Sequence, residues 1–277
     1  MQYCRLLFEG KTHYGKVENR RGECGNAEPW IVELIAAPAD DLAFQLEHNR
    51  ATSWSFDFEP MPLSSAHLLP PVTPSKIICV GRNYREHAKE LGNEVPAEPL
   101  LFFKPPSCLL APGGVVRLPR LAERVDFEGE LALVVGRRAR NVKPDANWRE
   151  VIRGCTVAND ISARDLQKKD GQWTRAKGFD TFGPMGPVVS DELDLDAGVR
   201  LETRVNGELR QQASTADLIF PIPALLSYIS AAFTLEPGDV ILTGTPSGVG
   251  PLKAGDRAEV SIEGLGTLVN GVEAQED

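Results

Sequence analysis

The stretch RVDFEGELALVVG, residues 124–136, sets Asp126, Glu128 and Glu130 at alternate positions and runs straight into the apolar segment Leu131–Val135. A compact apolar run of this length reads as a buried strand. Side chains two apart on a strand point to the same side. If the strand begins this early, three carboxylates crowd one face at the mouth of a core. Like charges held that close in a low-dielectric setting are costly unless a cation sits among them. The competing reading is the solvated face of an edge strand, which needs no cation at all.

Two features favour the buried arrangement. Glu128 and Glu130 flank a glycine and lead directly into the apolar run, and Asp160 ends the next strand-like segment, GCTVAND. Pairing of the two segments brings Asp160 beside them. Three carboxylates with no cysteine or histidine in the set suit a hard divalent cation, Mg²⁺ or Mn²⁺, that keeps water or substrate oxygens in its remaining positions. Asp126 is the weaker member, lying either behind the ligands or on the surface.

Composition removes several function classes. The 277 residues carry a net charge of −9 from 39 acidic and 30 basic side chains. Nucleic-acid partners rely on a basic face, so none is expected. Five cysteines, at 4, 24, 79, 108 and 155, are odd in number and never spaced C-x-x-C. They make neither a disulfide framework nor a zinc site, and a reducing cytoplasm is the expected setting. The segment MQYCRLLFEGK lacks the apolar core of a signal peptide, and IPALLSYISAAFTL is too short and polar to span a bilayer.

Along the chain, residues 1–70 read as a small N-terminal β-rich domain closed by a proline-rich extended linker, EPMPLSSAHLLPPVTPSK. Residues 71–277 read as a larger, β-rich domain with a few helices, α+β in class. Within it KIICVG is a strand, RNYREHAKELG a polar helical turn, and ISARDLQKKD a helix that Ser162 would cap. RLETRVNGELRQQ is a hairpin turning at Asn-Gly, and IPALLSYISAAFTL is an amphipathic helix.

Further candidate residues each carry two readings. In HAKE, helical spacing places His87 and Glu90 on one face, either as a base with its orienting carboxylate or as an exposed surface pair. His13, His48 and His67 show no such pattern. Lys104 and Lys177 lie beside proline or glycine, and Arg82 follows a strand. They suit an anionic ligand, or for the lysines a stem packed on the surface with its charge in water. LEPGDVILTGTPSGVG combines close-approach glycines with the hydroxyls of Thr243, Thr245 and Ser247; it has neither P-loop nor nucleophile-elbow spacing and also reads as a tight turn.

Together GRNYREHAKE, LLFFKP, DFEGELALVVG, ANDISARDLQ, AKGFDTFGP and LEPGDVILTGTPSGVG resemble the fumarylacetoacetate hydrolase family, in the family's order, over about residues 75–270. The resemblance implies a mixed β-roll, usually a homodimer. It implies metal ligation by Glu128, Glu130 and Asp160, and substrate contact at Lys177 and Thr245. It also implies a ligand-facing amide at Gln167 and a dyad of His87 and Glu90 on a mobile lid. The activity this implies is Mg²⁺-dependent (or Mn²⁺-dependent) hydrolysis of a carbon–carbon bond in a small anionic 2-oxo acid of acylpyruvate or fumarylpyruvate type, through a metal-bound enolate. Arg82, Lys104, Gln167 and Thr245 would bind substrate, and His87, Glu90 and Lys177 would act in catalysis. Oxaloacetate-type decarboxylation and isomerisation of a hydroxymuconate or hydroxyheptadienedioate share the enolate logic. The non-enzyme alternative is a silent binding protein of the same fold.

Overall fold

A computed structural model describes residues 1–21, 27–38, 41, 58–90, 92 and 94–276; Cys24 and His48 lie outside the described residues. The N-terminal strands are β1 (Gln2–Phe8), β2 (Lys11–Arg21), β3 (Ala27–Ile35), β4 (Met61–Pro62) and β5 (His67–Leu69). They are followed by β6 (Ile77–Gly81), β7 (Leu100–Lys104), β8 (Leu109–Leu110), β9 (Val115–Leu118), β10 (Val125–Phe127), β11 (Gly129–Val135), β12 (Ile152–Asn159) and β13 (Ser162–Ala163). The last group is β14 (Gly183–Ser190), β15 (Arg200–Val205), β16 (Glu208–Ser214), β17 (Val240–Leu242), β18 (Gly250–Pro251), β19 (Arg257–Ile262) and β20 (Gly266–Ala274). Among the described residues four α-helices connect them: α1 (Arg85–Glu90), α2 (Arg164–Asp170), α3 (Thr174–Lys177) and α4 (Ile222–Ala232).

The largest sheet runs β4-β3-β2-β1-β14-β12-β11-β17-β6-β7, with β5 beside β1 and β8 beside β14. A second sheet is β16-β15-β19-β20-β9, and β10 lies between β13 and β18 in a third. Most neighbours are antiparallel, but β17 with β6, β20 with β9 and β14 with β8 are parallel. The class is α+β and sheet-dominated, with the mixed strand directions expected from the sequence.

β11 is central and buried along its whole length. Its alternate faces serve two cores. Leu131, Leu133 and Val135 pack with Ile78, Val80 and the α4 residues Leu225, Leu226 and Ile229. Ala132 and Val134 pack with Ile77, Cys79, Phe127 and Val240. Period-two alternation in β6 and β11, the two strands flanking β17, therefore builds two apolar layers, one of them meeting the period-3.6 spacing of α4.

Local turn signals behave as their chemistry requires. The β15–β16 hairpin turns at Asn206 and Gly207, with φ of 54° and 81°, and β1–β2 turns at Glu9 and Gly10, with φ of 49° and 73°. Positive φ at both central positions matches the right-handed twist of the flanking strands. Two expectations fail. The proline-rich stretch is more than an extended linker, because within it β4 pairs with β3 and β5 with β1. β1 in turn pairs with β14, so the N-terminal strands continue the sheet that carries β11. Ser162 does not cap α2: it lies in β13, its hydroxyl donates to the Asp160 carbonyl at 2.8 Å, and Ala163 is the residue preceding the helix. The four described cysteines are buried free thiols. Among the described residues no helix is long and apolar enough to cross a membrane.

Because Leu133 is fully enclosed where β11 meets α4, Leu133→Ala should lower the unfolding free energy by about 2–5 kcal/mol, read from urea denaturation. A loss below about 1 kcal/mol would show that this core collapses around the gap.

Candidate functional site

The acidic triplet is split by the fold. β10 ends at Phe127 and β11 begins at Gly129, so Glu128 occupies the step between two sheets. Asp126 belongs to the small sheet and turns away from the other two acids, toward Arg124 and Arg164. The antiparallel register Gly129↔Asn159 and Glu130↔Ala158 carries Asp160 to Glu128, and the Asp160 amide donates to the Glu128 carbonyl at 2.8 Å. Glu128, Glu130 and Asp160 are at most 4% exposed, and each offers an oxygen within 4.8 Å of the others. Three buried oxygen donors without sulfur or imidazole fit a hard divalent cation.

Protein cations hold this charge in place. Lys177, the last residue of α3, donates to Glu128 Oε2 at 2.6 Å and to Asp160 Oδ2 at 2.7 Å. Lys104, at the end of β7, donates to Asp160 Oδ1 at 2.7 Å and to the carbonyls of Ile161 and Lys177. Arg164, opening α2, donates to Glu128 Oε1 at 2.5 Å and to Asp126 Oδ2 at 2.9 Å. Burial alone would raise the Glu128 pKa, but Arg164, then Lys177 and His87, hold it well below the usual carboxylate range. Burial opposes the charge on Lys177, yet Asp160 and Glu128 keep its pKa above the ordinary value. Glu130 differs. Its Oε2 accepts from the Gly244 amide at 2.7 Å, and no described side-chain cation bonds it. Burial first, then Asp160 and Glu128, push its pKa well up.

The loop after β17 closes the site. Gly244 has φ of +101°, and a Cβ there would lie 2.7 Å from the Asn83 Cβ, so only glycine can aim this amide at Glu130. Thr245 donates to the Gly129 carbonyl at 2.9 Å and accepts from Gln211 at 2.8 Å. The same Gln211 amide accepts from the Gly129 N–H at 3.0 Å and donates to the Pro246 carbonyl at 2.8 Å. Farther along, the Gly248 amide donates to both Glu90 oxygens, at 3.0 and 3.2 Å. Glu90 in turn lies 3.3 Å from His87 Nδ1. His87 is buried, which lowers its pKa, while Glu128 and Glu90 act in the opposite direction.

A cavity of about 520 Å³ collects most of the residues named from the sequence: Glu128, Glu130, Asp160, Lys177, His87, Arg82, Gln167 and Thr245 all line it. Lys104 is not on its wall; it stands behind Asp160. Glu90 backs His87 rather than facing the cavity. The alternative surface readings of the lysines and of His87 do not hold, since all three side chains are buried. Sequence reading missed Arg164, Gln211 and the aromatic wall of Phe102 and Trp173, whose rings meet edge-on at 5.1 Å. Nothing local marks Gln211, because β16 exposes Leu209 and buries Gln211, the reverse of an apolar pattern.

Lys104→Met leaves a buried carboxylate oxygen and two carbonyls without their donor. It should cost about 3–5 kcal/mol of stability in metal-free buffer, by chemical denaturation. A change under about 1 kcal/mol would mean that Asp160 finds another partner.

Residues 76–273 match the family of fumarylacetoacetate (FAA) hydrolase C-terminal domains. A mitochondrial oxaloacetate tautomerase of Arabidopsis thaliana is 48% identical over 204 residues, covering 72% of this chain and 91% of that protein. The crystal structure of a 5-carboxymethyl-2-hydroxymuconate delta-isomerase from Mycobacterium smegmatis superposes with a TM-score of 0.83 at 39% identity, over 99% of this chain and 100% of that one. That of a maleylpyruvate hydrolase from Sphingobium sp. SYK-6, in complex with manganese(II) and pyruvate, gives 0.68 at 36% identity over 79% and 78%. With the matched region covering most of the chain and these identities across it, the protein belongs to the fumarylacetoacetate hydrolase family.

Proposed function

We propose that the protein is a divalent-metal-dependent hydrolase that cleaves the carbon–carbon bond of an acylpyruvate-type 2-oxo acid. The observation that carries this reading is a buried histidine, paired through Nδ1 with the Glu90 carboxylate, whose imidazole faces the same cavity as three buried acids. Glu128, Glu130 and Asp160 would hold Mg²⁺ or Mn²⁺, which when bound supplies a Lewis acid for the oxygens of the 2-oxo acid. The maleylpyruvate hydrolase, in complex with manganese(II) and pyruvate, supports a divalent cation and a 2-oxo acid as ligands.

The chain's own groups do the rest. Lys177 brings a positive charge to the cavity wall for the anionic substrate, and Arg82 and Gln167 line the same wall. Thr245 offers a lone pair, because its single proton is donated to the Gly129 carbonyl. Lys104 fixes Asp160 and does not reach substrate. His87, kept neutral by burial, takes a proton from water, and Glu90 orients the ring through Nδ1. The water oxygen adds to the distal carbonyl, the carbon–carbon bond breaks with its electron pair going to the methylene carbon of the pyruvate unit, that carbon takes up the proton His87 removed, and a carboxylic acid and pyruvate leave. The protein acts in the cytoplasm, as a homodimer by its resemblance to the family.

A second reading is favoured by the tautomerase and isomerase relatives. In it the same base moves a proton between carbon and oxygen with no attacking water. Ultraviolet assays of acetylpyruvate, oxaloacetate and a hydroxymuconate derivative with Mg²⁺ separate the two. Pyruvate released from acetylpyruvate supports hydrolysis; enol–keto conversion of oxaloacetate without cleavage of acetylpyruvate overturns it in favour of the second.

Glu128→Ala should abolish both Mg²⁺-induced thermal stabilisation and turnover, and His87→Ala should remove hydrolysis while the stabilisation survives. Hydrolysis persisting in His87→Ala would remove the dyad from the mechanism.

The pH dependence has a definite sign. His87 must be neutral to act, and burial lowers its pKa from the ordinary 6.5. The acid limb of kcat/KM should therefore fall below pH 6.5. Glu90→Gln, which removes a carboxylate that stabilises the imidazolium, should move the limb lower still. A limb above the ordinary histidine value excludes His87 as the base.

A further inference from the structure

The site's charges form one alternating line: Arg124, Asp126, Arg164, Glu128, Lys177, Asp160 and Lys104. Six of these seven are largely buried; Arg124 alone has a side chain more than half exposed. Asp126 is the second link, itself 1% exposed, and has no place in the proposed reaction.

Asp126 is held between two guanidinium groups. Arg124 donates through Nε to Oδ1 at 2.8 Å and through Nη2 to Oδ2 at 3.0 Å, while Arg164 donates through Nε to Oδ2 at 2.9 Å. The backbone fixes both arginines. The register Val125↔Ala163 and Asp126↔Ser162 sets β10 against β13, and the Arg164 amide donates to the Arg124 carbonyl at 2.8 Å. Arg164 is a planar fork with its three nitrogens spent on three partners: Nε on Asp126, Nη2 on Glu128 at 2.5 Å and Nη1 on Gln167 Oε1 at 3.0 Å. A guanidinium is rigid, so fixing one edge fixes the direction of the others. The edge on Asp126 decides that Glu128 meets Arg164 through one oxygen only.

We infer that Asp126 is a positioning residue that anchors Arg164 and so limits its hold on Glu128, keeping that carboxylate available to a divalent cation. The inference rests on the reading of Glu128 as a metal ligand. Without the anchor, the whole guanidinium charge faces Glu128, a two-oxygen embrace becomes possible, and Arg164 competes with the cation. Partners one step behind a ligand commonly change metal affinity by about 10–100-fold.

The test is calorimetric titration of Mn²⁺ into the metal-stripped full chain, which reads binding and not turnover. Asp126→Asn should weaken binding about tenfold. In an Arg164→Met background the same substitution should change it by less than about twofold, because the residue through which Asp126 acts is gone. Equal factors in the two backgrounds overturn the inference, as does unchanged affinity in the single variant.

Arg124→Gln, at the solvent end of the line, keeps the question answerable should Asp126→Asn fail to fold. With Asp126 then serving Arg164 alone, Mn²⁺ should bind about two- to threefold more tightly, and unchanged or weaker binding overturns the inference. Glu128→Ala separates the two levels. Mn²⁺ binding retained in that variant overturns the ligand reading and this inference with it. Binding lost there, but intact in Asp126→Asn, overturns the inference alone.

Discussion

The Lys177 ammonium lies 2.6 Å from Glu128 and 2.7 Å from Asp160, bridging two chain segments whose carboxylates would otherwise repel. The antiparallel register of β11 and β12 forces the two acids together, and their backbones are already joined at 2.8 Å. At such separations the repulsion of two unshielded charges grows steeply as water is removed. Lys104 on the far side of Asp160 and Arg164 on the far side of Glu128 complete the compensation. These cations come from β7, α2 and α3, so satisfying the charge also fixes where three separate segments must lie. Buried ion pairs add little net stability over an apolar core of the same shape, yet breaking one is costly. Their contribution here is to geometry: they allow one arrangement of the strand ends and penalise the rest.

Glu130 stands outside this line. It points from β11 toward the face shared by Ala132 and Val134, and its bond is to a backbone amide. Among the described residues Glu130 is thus the acid of the site with no cation bonded to it, and its raised pKa reflects that. A cation entering from the cavity gains most there while sharing Glu128 and Asp160 with groups that already balance them. The donor set and the imbalance point the same way, toward an ion that binds oxygen and carries more than one charge.

What could be read from the chain was what depends on local pattern. The hairpin at Asn206–Gly207, helix α4, strand β11 and the meeting of Glu128 with Asp160 follow from turn chemistry, periodicity and the pairing of successive strands. Alternation leaves Asp126 either behind the ligands or on the surface; the chain changes sheets at Glu128, and the fold buries Asp126 behind Arg164. Lys104 was assigned to substrate, and the fold sets it behind an acid instead, since a residue's place in a charge network depends on segments distant in sequence. Gln211 and Arg164 were invisible for the same reason. One lies on a strand whose polar side chain is buried by the register, and the other opens a helix, RDLQKKD, in which it is one charge among several.

The position of His87 has a related origin. α1 has only six residues, far fewer than an isolated helix needs to persist in water. Its geometry is imposed from both ends. At its root the Asn83 side chain donates to the Thr243 carbonyl at 2.8 Å and accepts from the Phe220 amide at 2.8 Å. At its far end Glu90 takes the Gly248 amide, and Gly248 is confined to glycine because a Cβ would lie 2.0 Å from the Arg210 carbonyl oxygen at φ of +98°. The loop that receives both ends of α1 also supplies the Gly244 amide to Glu130 and the Thr245 hydroxyl to Gly129. The imidazole and the buried acids are thus referenced to the same few backbone atoms between Thr243 and Gly248. The distance between the imidazole and the carboxylates is therefore set by loop geometry rather than by the helix that carries the histidine.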